Sequence, residues 1–152
     1  MAGKMEPELL EVGTDAPDFT LASSLGDPFT LSELRGRKNV CLIFYAQDGE
    51  GEYVRRLGEV VSDRDRFIAA DVERVGINPG SLASQRRFAE SQGLDIPLLV
   101  DADLAVARLY GAAEPGGDRV LPAVYLVDRG GKIVFAARGH PKADRVLGAL
   151  EE

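Results

Sequence analysis

The most continuous apolar stretch of the chain is Val40-Cys41-Leu42-Ile43-Phe44-Tyr45. It lacks polar alternation, which predicts a strand buried on both faces, of the kind found in parallel sheets. Upstream, residues 12–21 alternate apolar with polar or turn residues and end in a short strand. Gly26-Asp27-Pro28 predicts a turn and Phe29-Thr30-Leu31 a second short strand, together a hairpin. Ser32 is placed to cap one helical turn that stops at Gly36. After the buried strand comes an acidic glycine loop, Asp48-Gly49-Glu50-Gly51-Glu52. From there Tyr53, Leu57, Val60, Val61, Phe67 and Ile68 recur at helical spacing. Val72–Ile77 predicts a further strand, closed by Asn78-Pro79-Gly80. Ser81 is a good N-cap for a helix carrying Leu82, Ala83, Phe88 and Ala89 and ending near Gly93. Residues 97–100 read as a short extended piece, and 101–110 suit a short helix ending at Gly111. Two further apolar runs, 123–128 and 132–137, flank the turn Arg129-Gly130-Gly131 and predict a hairpin. Pro141 fits the first position of a final helix carrying Val146, Leu147 and Leu150.

After the opening hairpin the predicted order is β-α-β-α-β-β-α. A βαβ crossover makes parallel strands, and the closing hairpin adds antiparallel ones. Helices must then cover both sheet faces. The expected architecture is one α/β domain over residues 12–152, preceded by a flexible arm over residues 1–11, which carry no periodicity.

Composition narrows the function classes. A net charge of −7 argues against nucleic acid or an anionic membrane as partner. No apolar run approaches the roughly 20 residues that cross a bilayer, and the first residues lack the apolar core of a secretory signal. The expected location is the cytoplasm. A single cysteine excludes an intrachain disulfide and a C-x-x-C pair, and a single histidine disfavours a histidine metal site. No cofactor is expected.

Taken in order, VGTDAPDFTL (12–21), FTLSELRG (29–36), CLIFYA (41–46), RVGIN (74–78), RFAESQGLDIPLLVDADLAVARLYG (87–111) and YLVDRGGKI (125–133) resemble the thioredoxin fold. More narrowly they resemble the peroxiredoxins, the alkyl hydroperoxide reductase/thiol-specific antioxidant family. The resemblance implies a central mixed sheet flanked by helices, with an N-terminal β-hairpin extension. In that family the strand F-Y-P leads into T-x-x-C, and an arginine stands before the F-L-I-D strand. Counted from Phe44, the proline position holds Ala46, the threonine position Glu50 and the cysteine position Tyr53. The arginine position holds Pro122. None of the four keeps the family residue. Pro122-Ala123-Val124-Tyr125-Leu126-Val127-Asp128 is also similar to the P-T-x-F-L-I-D of thioredoxin-like disulfide reductases. That similarity implies a cis peptide before Pro122 and puts the reductase cysteines at Gly49 and Glu52.

The residues therefore allow three readings. In the first, the chain is a non-catalytic, binding or regulatory relative that keeps the fold. In the second it is a thiol-dependent peroxidase or disulfide reductase that uses Cys41 or a partner's cysteine. In the third, Asp48, Glu50, Glu52, Tyr53 and Pro122 line a ligand pocket. Cys41 belongs to a buried strand and reads as a packed core thiol. The loop acids could draw a hard cation, but acids near a helix start also complement its dipole. Tyr53 reads as packing, since an ordinary phenol near pKa 10 is unreactive at neutral pH. His140 reads as a surface residue. The partner, a protein or a small ligand, stays open, and the resemblance allows a homodimer.

Overall fold

In the computed structural model, which describes residues 7–46 and 63–151, the apolar run becomes a strand buried at each of its six positions. In chain order the elements are β1 (Thr20–Ser23), β2 (Gly26–Thr30), a 3₁₀ turn (Leu31–Leu34), β3 (Asn39–Phe44) and α1 (Arg64–Ala69). They continue with β4 (Val72–Asn78), α2 (Leu82–Gln92), β5 (Leu98–Val100) and α3 (Ala105–Leu109). Last come β6 (Ala123–Val127), β7 (Ile133–Arg138), α4 (Ala143–Gly148) and a closing 3₁₀ turn (Ala149–Glu151).

The strands form one seven-stranded mixed sheet in the order β2-β1-β5-β4-β3-β6-β7. β3 sits between β4, parallel, and β6, antiparallel; Leu42 lies opposite both Val75 and Tyr125. The period of two splits β3 between two cores. Val40, Leu42 and Phe44 join Tyr110, Tyr125 and Leu99 on one face. Cys41, Ile43 and the next residue, Tyr45, join Phe67, Phe88 and Leu98 on the other. Both faces are covered, which is why the run carries no polar alternation.

The strand and hairpin readings hold with four differences. Residues 97–100 contain a full sheet strand: β5 pairs parallel with β4 and antiparallel with β1, joining the N-terminal hairpin to the rest. Its three residues are too few to show a period. The first hairpin turns earlier than Gly26-Asp27-Pro28, because Ser23 already faces Gly26 across the ladder. Pro28 is tolerated inside β2 because β2 is the sheet edge, where a missing N–H goes unnoticed. The 3₁₀ turn is capped at Thr30, not Ser32; the Ser32 amide instead donates to Asp18 Oδ1 at 2.8 Å. In α4 the cap is Lys142, so Pro141 stands just outside the helix, in a lead-in that its fixed φ suits equally well.

Ser81 caps α2 as expected, its side chain accepting from the Ser84 amide, and Gly93 ends it at φ 65°. The part of the expected long helix before Asp63 lies outside the described residues. Residues of the N-terminal segment touch the domain: the Leu10 amide donates to Tyr125 Oη at 2.9 Å, and Leu9 and Leu10 pack against the core. Farther on, Gly13 N–H donates to the Ile133 carbonyl (2.7 Å) and Ile133 N–H to the Thr14 carbonyl (2.9 Å). Residues 13–16 thereby cover the first part of the β7 edge. Among the described residues no helix is long and apolar enough to cross a membrane.

Candidate functional site

Open α/β sheets bind ligands beyond the carboxyl ends of their strands. At that end of β3 the backbone leaves the sheet through Tyr45 and Ala46. The neighbouring antiparallel strand β6 enters there, since Phe44 faces Ala123. Ala46 and Pro122 are therefore brought to the same end of the sheet. Asp48, Glu50, Glu52 and Tyr53 lie outside the described residues.

The bond before Pro122 is trans, as is every other described peptide bond, which corrects the expected cis geometry. Even before proline the trans form is favoured by about 0.5–1 kcal/mol. Here the entry to β6 is held without a cis bond: Leu121 N–H donates to the Ala112 carbonyl and Gly139 N–H to the Pro122 carbonyl, each at 2.8 Å. The likeness to disulfide reductases loses its structural support at this point.

Cys41 is 1% exposed and lies opposite Arg74 on β4 and Leu126 on β6. Burial pushes its thiol up to about 12, and the positive charge of Arg74 only partly opposes this. A reactive thiol needs the reverse, an exposed and electropositive setting that yields thiolate. Arg74 is itself buried. Its guanidinium lies 5.5 Å from the Phe67 ring centroid and 4.0 Å from Asp95, which Arg64 binds at 2.6 Å. Burial lowers the Arg74 pKa, and Asp95 works against that shift. This ion group ties α1 to the sheet.

His140 is half-buried, not a surface residue as its isolation in the sequence suggested. It follows Gly139, whose amide ties β7 back to the start of β6. No three His, Cys, Asp or Glu residues among those described come together in a metal-binding group.

The sequence reading missed a buried polar cluster under the same end of the sheet. Tyr45 Oη donates to Gln85 Oε1 at 2.8 Å. Gln85 Nε2 donates to the carbonyls of Asn78 (3.2 Å) and Leu99 (2.8 Å). Asn78 Nδ2 donates to the Ala46 carbonyl at 3.4 Å, and its Oδ1 accepts from Gly80 N–H at 2.8 Å. Asp101 N–H donates to the Asn78 carbonyl at 3.0 Å. The signal was available: Gln85 stands at i−3 and i−4 from Phe88 and Ala89, on the helix stripe that faces the core.

At the opposite end of the sheet a small cleft is lined by Asp18, Arg35, Lys38 and Asp128, among others. Its carboxylates are already engaged by backbone amides, Asp18 by Ser32 and Asp128 by Gly130 and Lys132.

The sequence matches the AhpC/TSA family over residues 12–136. It is 31% identical over 135 residues to alkyl hydroperoxide reductase E of Mycobacterium tuberculosis, covering 88% of each chain. The fold is similar to that of peroxidoxin BcpB from Mycobacterium tuberculosis, with a TM-score of 0.85, 26% identity, and 93% and 97% of the two chains covered. PrxQ of Xylella fastidiosa shares the fold at a TM-score of 0.83 and 21% identity, over 95% and 97% of the chains.

Proposed function

Because the chain belongs to the AhpC/TSA family, we propose that it keeps the peroxiredoxin scaffold for binding or regulation and does not itself turn over peroxide. One observation carries this reading: the chain's one cysteine is a core residue of β3, its thiol pushed up to about 12. Peroxide reduction by a thiol starts with thiolate attack on the O–O bond and needs donors for the leaving oxygen. The family register assigns the nucleophile position to Tyr53, whose phenol cannot form and regenerate a sulfenic acid. It assigns the donor positions to Glu50, an acceptor when ionised, and to Pro122, which has no N–H. Ala46 takes the place of the family proline. The acids Asp48, Glu50 and Glu52, which follow Ala46 closely in sequence, would disfavour an anionic ligand and favour a cationic or neutral one. A cytoplasmic location belongs with this reading.

A competing reading has one observation behind it: the relatives carry the names of peroxide-reducing enzymes. The two separate in an assay of hydrogen peroxide loss with dithiothreitol or thioredoxin as reductant. Wild type, Cys41→Ala and Tyr53→Cys are compared. We expect no turnover in any, because three nearby acids would raise the pKa of a thiol installed at position 53. Turnover in wild type that disappears in Cys41→Ala would make Cys41 the nucleophile and end the proposal.

A further inference from the structure

Among the described residues six buried side chains are polar or charged, and three of them, Asn78, Gln85 and Asp101, lie at or just under the carboxyl ends of β4 and β5. We infer that Asn78 and Gln85 are positioning residues that fix this rim as a preformed platform, doing in this chain what a strand-ending proline does where position 46 is not alanine. The inference rests on the reading that this end of the sheet binds and does not catalyse.

The geometry is that of a clamp. Gln85 is 0% exposed, and its amide reaches three elements at once: Tyr45 after β3, Asn78 at the end of β4 and Leu99 in β5. Asn78, 1% exposed, continues the chain of bonds to the Ala46 carbonyl and the Gly80 amide. Asp101 extends it into α3, where Oδ1 accepts from Val106 N–H at 3.1 Å and Oδ2 from Ala107 N–H at 2.9 Å. An apolar side chain at position 85 would fill the same space but drop the bonds to Tyr45 Oη and to the Asn78 and Leu99 carbonyls. A buried amide earns its place by selecting one arrangement, because every alternative leaves a donor or acceptor unpaired in a low-dielectric interior. Alanine leaves the φ of position 46 free where proline would fix it. The Asn78 bond to its carbonyl supplies a restraint from outside the strand. The Tyr45 ring is held at the same time by stacking on Phe88, with centroids 6.4 Å apart.

Residue-resolved amide hydrogen exchange of the full chain tests the clamp, with wild type compared to Gln85→Met and Tyr45→Phe. The first variant removes every clamp bond made by Gln85 while roughly keeping its volume. The second removes one hydroxyl and leaves the ring, so it remains folded if the first does not. We expect the rim amides of Tyr45, Gly80 and Asp101 to exchange about tenfold faster in Gln85→Met relative to the mid-strand amides of Leu42, Val75 and Leu126. Tyr45→Phe should show the same pattern at smaller amplitude. Acceleration of all these amides by one common factor would mean that Gln85 contributes only global stability, and unchanged rim amides would mean no clamp; either overturns the inference. Peroxide turnover would sink the binding reading yet leave this exchange pattern to be decided separately.

Discussion

At the scale of single residues, Cys41 is the position where sequence and structure speak most directly to function. It belongs to the core cluster on one face of the sheet that also holds Phe67, Phe88, Leu98 and Val124. A native-state thiol reagent should therefore fail to label it until denaturant is added. Cys41→Ser should destabilise the fold by about 1–3 kcal/mol, the cost of a hydroxyl without a partner in apolar surroundings. Equilibrium denaturation reads this directly. Rapid native labelling would return Cys41 to the list of reactive groups. Gly76 offers a second residue-scale test. A Cβ built there would sit 2.9 Å from Leu98 Cδ2 and 3.0 Å from Tyr45 Cε1. Gly76→Ala should accordingly cost about 1–3 kcal/mol through overpacking, and an unchanged denaturation midpoint would show that the two side chains can move aside.

At the scale of elements, legibility followed length and the number of buried faces. β3 and the β6–β7 hairpin were readable because each carries an apolar run bounded by turn residues. β5 was readable only as extended backbone, because three residues cannot display a period, and its place between β4 and β1 is set by tertiary pairing. The family register identified Ala46 and Pro122 as neighbours of the site, and β3–β6 pairing brings their strand ends together. The polar clamp escaped because a glutamine in a helix reads as exposed by residue type, even though Gln85 shares the buried stripe of Phe88 and Ala89. The N-terminal segment is a further element whose contacts no periodicity announces. Gly111, at φ +67°, leaves no room for a Cβ, which would fall 2.3 Å from the Glu8 carbonyl oxygen. Gly111→Ala should push that segment off the end of α3, both by this clash and by the strain of a left-handed backbone. Cleavage near residues 8–11 by an acid-directed protease should then accelerate relative to wild type. Equal cleavage rates would show that Tyr125 and the apolar contacts of Leu9 and Leu10 hold the segment unaided.

For the whole molecule, the surface carboxylates and the buried thiol and phenols make opposite demands on pH. At the acid end, Asp15 and Asp18 are the carboxylates with depressed values among the described residues. The Lys132 ammonium binds Asp15 and holds it below 3.8. Partial burial pushes Asp18 up, but hydrogen bonds from Ser32 outweigh it. Their stabilisation is present above 3.8 and fades as pH falls through their lower folded values. Both are exposed, so this effect is small. At the alkaline end the sign reverses. Burial raises the Cys41 thiol from 9.0 to about 12, and burial also raises Tyr110 and Tyr125 from 10.0. Between the ordinary and the raised values the unfolded chain has lost protons that the folded chain keeps, so stability must fall with rising pH. The thiol's share is intact below pH 9.0 and is lost progressively up to about pH 12. Cys41→Ala removes that share and leaves both phenols in place. Its stability should thus decline less steeply than that of wild type across this window, whatever its absolute loss from the smaller side chain. Denaturant midpoints measured at intervals from neutral to alkaline pH give the comparison. Parallel curves for the two proteins would mean that the thiol ionises equally well folded and unfolded. That result would remove the physical basis for treating the chain's one thiol as inert.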